Sequence, residues 1–183
     1  MYYSFFVSQH DQDYHPEVAC GVASLSMLLR YHRLGDGLKF VDLAQQLRLT
    51  APPAIKGYLA NDPPIGVFPE DVYRFLFERK ILFRVSFFKH EWEACLLGAP
   101  IMVLMRDDGE EFGPDGHWVV VVDKEGPTFT YLDPWYKEDS GEYVRKIEES
   151  VFFDCFTGCA CQIIQQGTGF TKFIPADEED GKL

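Results

Sequence analysis

Residues 117–134, HWVVVVDKEGPTFTYLDP, restrict the possible folds more than any other stretch. Two β-branched and aromatic runs flank Gly126-Pro127, which reads as an antiparallel hairpin. The rest of the chain divides around residue 80. Before it, residues 20–33, 40–48 and 68–80 carry helical apolar spacing. In 20–33, Val22, Leu25 and Leu29 share a wide stripe with Ala23, Met27 and Leu28, while Ser26, Arg30 and Arg33 lie together elsewhere. After residue 80 the strand-like runs ILFRVSFF and PIMVLMR precede the hairpin, and CQIIQQ and FTKFIP read as further strands. One short helix, EWEACLLG, interrupts them and stops at Gly98. Helices first and an antiparallel sheet afterwards predict an α+β fold with segregated layers, not a doubly wound parallel sheet. Neither a repeat nor a linker divides the chain. The expected organisation is one domain over 1–175 and an acidic tail over 176–183.

Charge narrows the partners. A formal charge of −12 argues against nucleic acid or an anionic membrane as the main partner, and suits a neutral or basic substrate. MYYSFFVSQHDQ has no basic n-region, and no apolar run approaches the roughly 18 residues of a membrane span. A cytoplasmic location without a membrane span is therefore expected. The oligomeric state has no sequence signal.

Cys20 stands where a loop becomes a helix, in PEVACGVASLSMLLRYH. A helix N-terminus carries partial positive charge and unpaired N–H groups, so a thiol there ionises more easily. The adjacent Gly21 leaves room for a substrate, and the first N–H groups of the helix can face a developing oxyanion. His117 follows Gly116 at the head of one hairpin strand, and Asp133 ends the other. Folding the hairpin brings these two ends side by side, so Asp133 can orient the imidazole of His117. Cys20, His117 and Asp133 thus have the residue types and order of a nucleophile, a general base and an orienting carboxylate.

ACGVASLSMLLRYH, GHWVVVVD and YLDPW resemble the motifs of the bacteriocin-processing, double-glycine leader peptidases and their standalone soluble relatives, within the papain-like superfamily. The resemblance extends through GVFPEDVYRFL and GAPIMVLM and covers most of the chain. It implies a papain-like fold with the nucleophile helix packed on a C-terminal antiparallel sheet. It also implies a cofactor-free, metal-free cysteine peptidase or amidase working through a Cys20-His117-Asp133 triad and a thioester acyl-enzyme on a peptide or amide substrate. Such enzymes carry a glutamine shortly before the cysteine that helps bind the oxyanion. Gln12 is the first candidate and Gln9 the second. The Gln12 spacing is wider than usual, and Ala19 stands where an acidic residue is common. PEVACGVASL is also similar to phytochelatin synthase, a papain-like transpeptidase. The alternatives to a hydrolase are that transpeptidase chemistry and a papain-fold module that binds peptides without turnover.

The other four cysteines take simpler readings. Cys95 reads as a small core residue, and an odd total does not suit a closed disulfide framework. CFTGCAC has no partner motif for zinc and reads as thiols on a strand, ahead of a disulfide or a metal site. His10 and His15 lie in the polar loop around Gln12, where either can border a cleft. His32 and His90 read as structural or solvated. The acidic stretch RDDGEEFGPDGH leads directly into His117 and is a candidate cleft border.

Overall fold

A computed structural model describes residues 3–35, 37–49, 66–107, 109 and 112–164. Three helices come first: α1 (Cys20–Tyr31), α2 (Phe40–Gln46) and α3 (Pro69–Glu78). β1 (Phe83–Arg84), α4 (Trp92–Leu96), β2 (Ile101–Met105), β3 (His117–Glu125) and β4 (Thr128–Leu132) follow. The described chain closes with β5 (Val144–Glu148), α5 (Glu149–Cys155) and β6 (Phe156–Ile163). The six strands form one sheet in the order β1-β6-β2-β3-β4-β5, and every pairing is antiparallel. The α+β expectation holds. No helix among the described residues is long and apolar enough to cross a membrane.

The apolar run WVVVV in β3 is continuous because both faces of the sheet are covered. Trp118 and Val120 face a core built with Val22, Leu25 and Leu29 of α1 and Leu76 of α3. Val119 and Val121 face a second core with Trp92 of α4, Phe129 and Phe152 of α5. The latter is dominated by rings: Phe129 stacks on Phe152 at 4.3 Å between centroids, and Trp92 meets Phe129 edge-on at 5.7 Å. Helices therefore lie on both sides of the sheet. Apolar spacing predicts helices mainly on one side, because charged residues break the periodicity of β5 and α5. It also predicts a full strand over ILFRVSFF, of which only Phe83 and Arg84 pair, with Ile163 and Gln162. The strand proposed at FTKFIP and the acidic tail lie outside the described residues.

α1 is the most deeply buried helix, with Cys20 to Leu25 and Met27 to Leu29 all covered. Gly21 is what lets its first turn approach the sheet. A Cβ there would lie 2.6 Å from Val67 Cβ and 3.0 Å from Trp118 Cδ1. The glycine thus serves helix-to-sheet packing, whereas the sequence reading assigned that space to a substrate. Ser24 Oγ donates to Trp118 O at 3.0 Å, and Trp118 Nε1 donates to Val67 O at 2.8 Å. These bonds satisfy the buried polar atoms of the contact.

No disulfide joins any of the five cysteines among the described residues. Cys161 packs into the α1-side core with Cys159 against it, and Cys155 packs into the other core. Burial pushes the Cys161 thiol up to about 12. His32 at the end of α1 is buried, and burial pulls its pKa down.

Candidate active site

The start of α1 and the ends of β3 and β4 meet at a cleft of about 1060 Å³. Cys20, His117 and Asp133 all line it. His117 Nε2 lies 2.6 Å from Asp133 Oδ1. The register explains this contact. Val120 pairs with Leu132, which places Asp133 across from Val119, two residues along the same face from His117. A bulge between Val121 and Asp123 sets that offset. With Nε2 taken, Nδ1 is the ring nitrogen left for the hydrogen bond between His117 and the Cys20 thiol.

Cys20 is buried, and burial by itself disfavours a thiolate. His117 outweighs it through its hydrogen bond and its charge, with help from the Trp118 and Gly21 N–H groups, so the Cys20 pKa falls below the usual thiol value. Burial likewise disfavours the imidazolium of His117. The hydrogen bonds to Asp133 and Cys20, with their charges, override it and raise the pKa to about 10. Each partner therefore favours the charged form of the other: the imidazolium lowers the Cys20 pKa, and the thiolate raises that of His117. Ala19, the residue before α1, gives the helix no side-chain cap, and the first turn holds no acidic residue.

Gln9 and Gln12 exchange their expected places. Gln9 lines the cleft and is 1% exposed. Its N–H donates to Pro134 O at 2.8 Å, and its Nε2 donates to Pro16 O at 2.5 Å. Its Oε1 is buried without a hydrogen-bond partner among the described residues. Gln12, the first candidate, lines a separate depression with Asp13, Tyr14, Lys39, Phe40 and Val41. Its Nε2 reaches back to Ser8 O at 3.4 Å and so braces the turn that follows Gln9. The physical reason is that residues 8–19 form successive turns and not a helix, so the nearer glutamine in sequence is not the nearer in space.

The acidic loop borders the cleft through Phe112, Gly113, Pro114, Asp115 and Gly116. Asp107 is used within the loop: its Oδ1 accepts the N–H groups of Gly109, Phe112 and Gly113 at 3.2, 3.3 and 3.0 Å. Asp108, Glu110 and Glu111 lie outside the described residues. His10 meets the ring of Trp135, and His15 lies 3.7 Å from Glu17. Trp118 is the main site residue that the sequence reading missed. An indole inside a buried strand, which must find an acceptor, was its available signal.

The Peptidase_C39 like family matches residues 5–163. The chain belongs to that family. The C39-like family is one of cysteine peptidases, and the chain is accordingly a cysteine-type peptidase. Among solved structures it is similar to a double glycine motif protease from an AMS/PCAT transporter in complex with its leader peptide. That match has 16% identity and a TM-score of 0.54, over 81% of this chain and 85% of the other. The peptidase domain of Streptococcus ComA, a bi-functional ABC transporter of a quorum-sensing pathway, matches at 17% identity and TM-score 0.55, over 82% and 93%. A protein described as a C39-like peptidase from Bacillus anthracis matches at 14% identity and TM-score 0.62, over 88% and 94%. No curated protein matches. At these identities the likeness establishes the fold, and the C39-like assignment rests on the family match.

Proposed function

We propose that this single domain hydrolyses a peptide bond through the Cys20-His117-Asp133 triad and a thioester acyl-enzyme. The observation that carries the reading is the hydrogen-bonded series from the Cys20 thiol through His117 to Asp133 at the wall of the cleft. Shifts that favour a thiolate beside an imidazolium at the wall of a cleft support a catalytic role over passive binding. The thiolate adds to the carbonyl carbon. The oxyanion is held by the Cys20 N–H, which has no acceptor within its helix, and by the second N–H of the Gln9 amide. His117 gives its Nδ1 proton to the leaving nitrogen as the C–N bond breaks, which leaves a thioester on Cys20. His117 then takes a proton from water as the water attacks. The C–S bond breaks, the acid departs, and the thiolate–imidazolium pair returns.

The leader-peptide complex of the AMS/PCAT protease supports a peptide as substrate. Glu17 and Asp115 line the cleft at exposed positions and favour basic peptides. Their attraction is screened beyond about 8 Å at physiological salt. Cleavage of a proteome-derived peptide library, with Gly-Gly-containing peptides included and products read by mass spectrometry, tests the function. Turnover by the native chain and none by Cys20→Ala is the expected result. Iodoacetamide should label Cys20 first of the five thiols near neutral pH. Slow labelling of Cys20 together with an uncut library would refute the enzyme reading.

A further inference from the structure

Gln9 precedes Cys20 by a run of turns that contains neither helix nor strand, so no regular ladder holds its amide at the cleft. The amide itself is tied by Nε2 to Pro16 O at 2.5 Å, and the backbone that carries it is tied to the turn that follows Asp133. The Gln9 N–H donates to Pro134 O at 2.8 Å. The next residue, His10, sets its ring edge-on to Trp135, with centroids 4.5 Å apart and planes at 84°. The Trp135 N–H in turn donates at 3.0 Å to Asp133 Oδ1, the same oxygen that holds His117. One carboxylate oxygen therefore anchors the imidazole and also the tryptophan on which the Gln9 segment rests.

We propose that His10 and Trp135 are positioning residues that hold Gln9 in register with the His117-Asp133 pair. The proposal rests on the reading of Gln9 as an oxyanion donor. His10 does not line the cleft, so its influence on the reaction runs through its neighbours. Its backbone N–H is bound by Ser8 Oγ at 3.1 Å, which leaves the ring contact as the link that a side-chain change removes. An oxyanion donor works only when aimed, and a displacement of about 1 Å can cost about 100-fold in rate. Losing one ring pair frees the segment partially, so the expected loss is smaller.

The decisive experiment combines His10→Ala, His10→Phe, Gln9→Ala and the double variant Gln9→Ala/His10→Ala. Acylation is measured in single turnover with the library peptide that the native chain cuts fastest. His10→Ala should slow acylation by about 2- to 10-fold with KM unchanged, and His10→Phe, which keeps a ring edge, should restore it. In the Gln9→Ala background His10→Ala should cost nothing more, because the group it positions is gone. Multiplicative losses in the double variant would overturn the positioning role alone. Full activity of Gln9→Ala would remove the oxyanion assignment and the proposal with it. A substrate-free readout is the side-chain amide NMR signal of Gln9 in the resting protein. His10→Ala should speed its proton exchange at an unchanged melting temperature, and an unchanged Gln9 signal would also overturn the proposal.

Discussion

His117 Nε2 and Asp133 Oδ1 stand 2.6 Å apart on adjacent strands, two residues out of direct register. This contact fixes which ring nitrogen faces Cys20. It also helps keep the imidazole protonated up to about 10.

The pH profile of kcat/KM follows from the pair. In the proposed mechanism the productive state has Cys20 ionised and His117 protonated. The acid limb should rise below the ordinary thiol value of 9.0, because Cys20 is shifted down. The alkaline limb should fall near 10, as His117 loses the proton that the leaving nitrogen needs. Both limbs belong to the coupled pair. The rate of Cys20 alkylation against pH checks the acid limb, and His117→Ala should move that midpoint upward.

Asp133→Asn should fold, since the amide oxygen still accepts the Trp135 N–H. Its lost charge removes one cause of the raised His117 pKa, so the alkaline limb should move below 10. Turnover should drop by at least about tenfold as the imidazole loses its orienting charge. An unchanged alkaline limb would show that Asp133 does not set the protonation of His117.

Gly21→Ala should destabilise the protein by about 1–3 kcal/mol through overpacking against Val67 and Trp118. Adding Val67→Gly removes the Cβ atom that the new methyl group would meet and should recover part of the loss. Thermal unfolding of the two single variants and the double variant measures it. Simple addition of the two losses would mean that the close approach is relieved elsewhere.

Asp107→Ala removes the acceptor for three loop N–H groups and should loosen the cleft wall formed by Phe112 to Gly116. KM should rise several-fold, by roughly the loss of one or two hydrogen bonds. Asp107→Asn keeps an acceptor oxygen and should behave nearly as the native chain. A similar rise in both variants would point to the charge and not to the loop's shape.

Much of this molecule was legible from local sequence. The helical stripe of α1, the hairpin around Gly126-Pro127 and the order Cys20, His117, Asp133 are set by short-range periodicity, turn chemistry and spacing. β5 and α5 were not legible, because their charged positions blur the pattern and their apolar ones meet partners distant in sequence, such as Ile147 beside Phe129 and Phe152 beside Trp92. The same limit applies to the two glutamines. Gln9 and Gln12 are equivalent in type and lie in one turn-rich segment, so spacing from Cys20 could only rank them by distance along the chain. Tertiary contacts decided between them: Pro134 O binds the Gln9 backbone and Trp135 packs on His10, while Gln12 turns back to Ser8. Gly21 shows the same division, since the sequence marks a place where no side chain fits, and only the approach of Val67 and Trp118 shows what occupies that space.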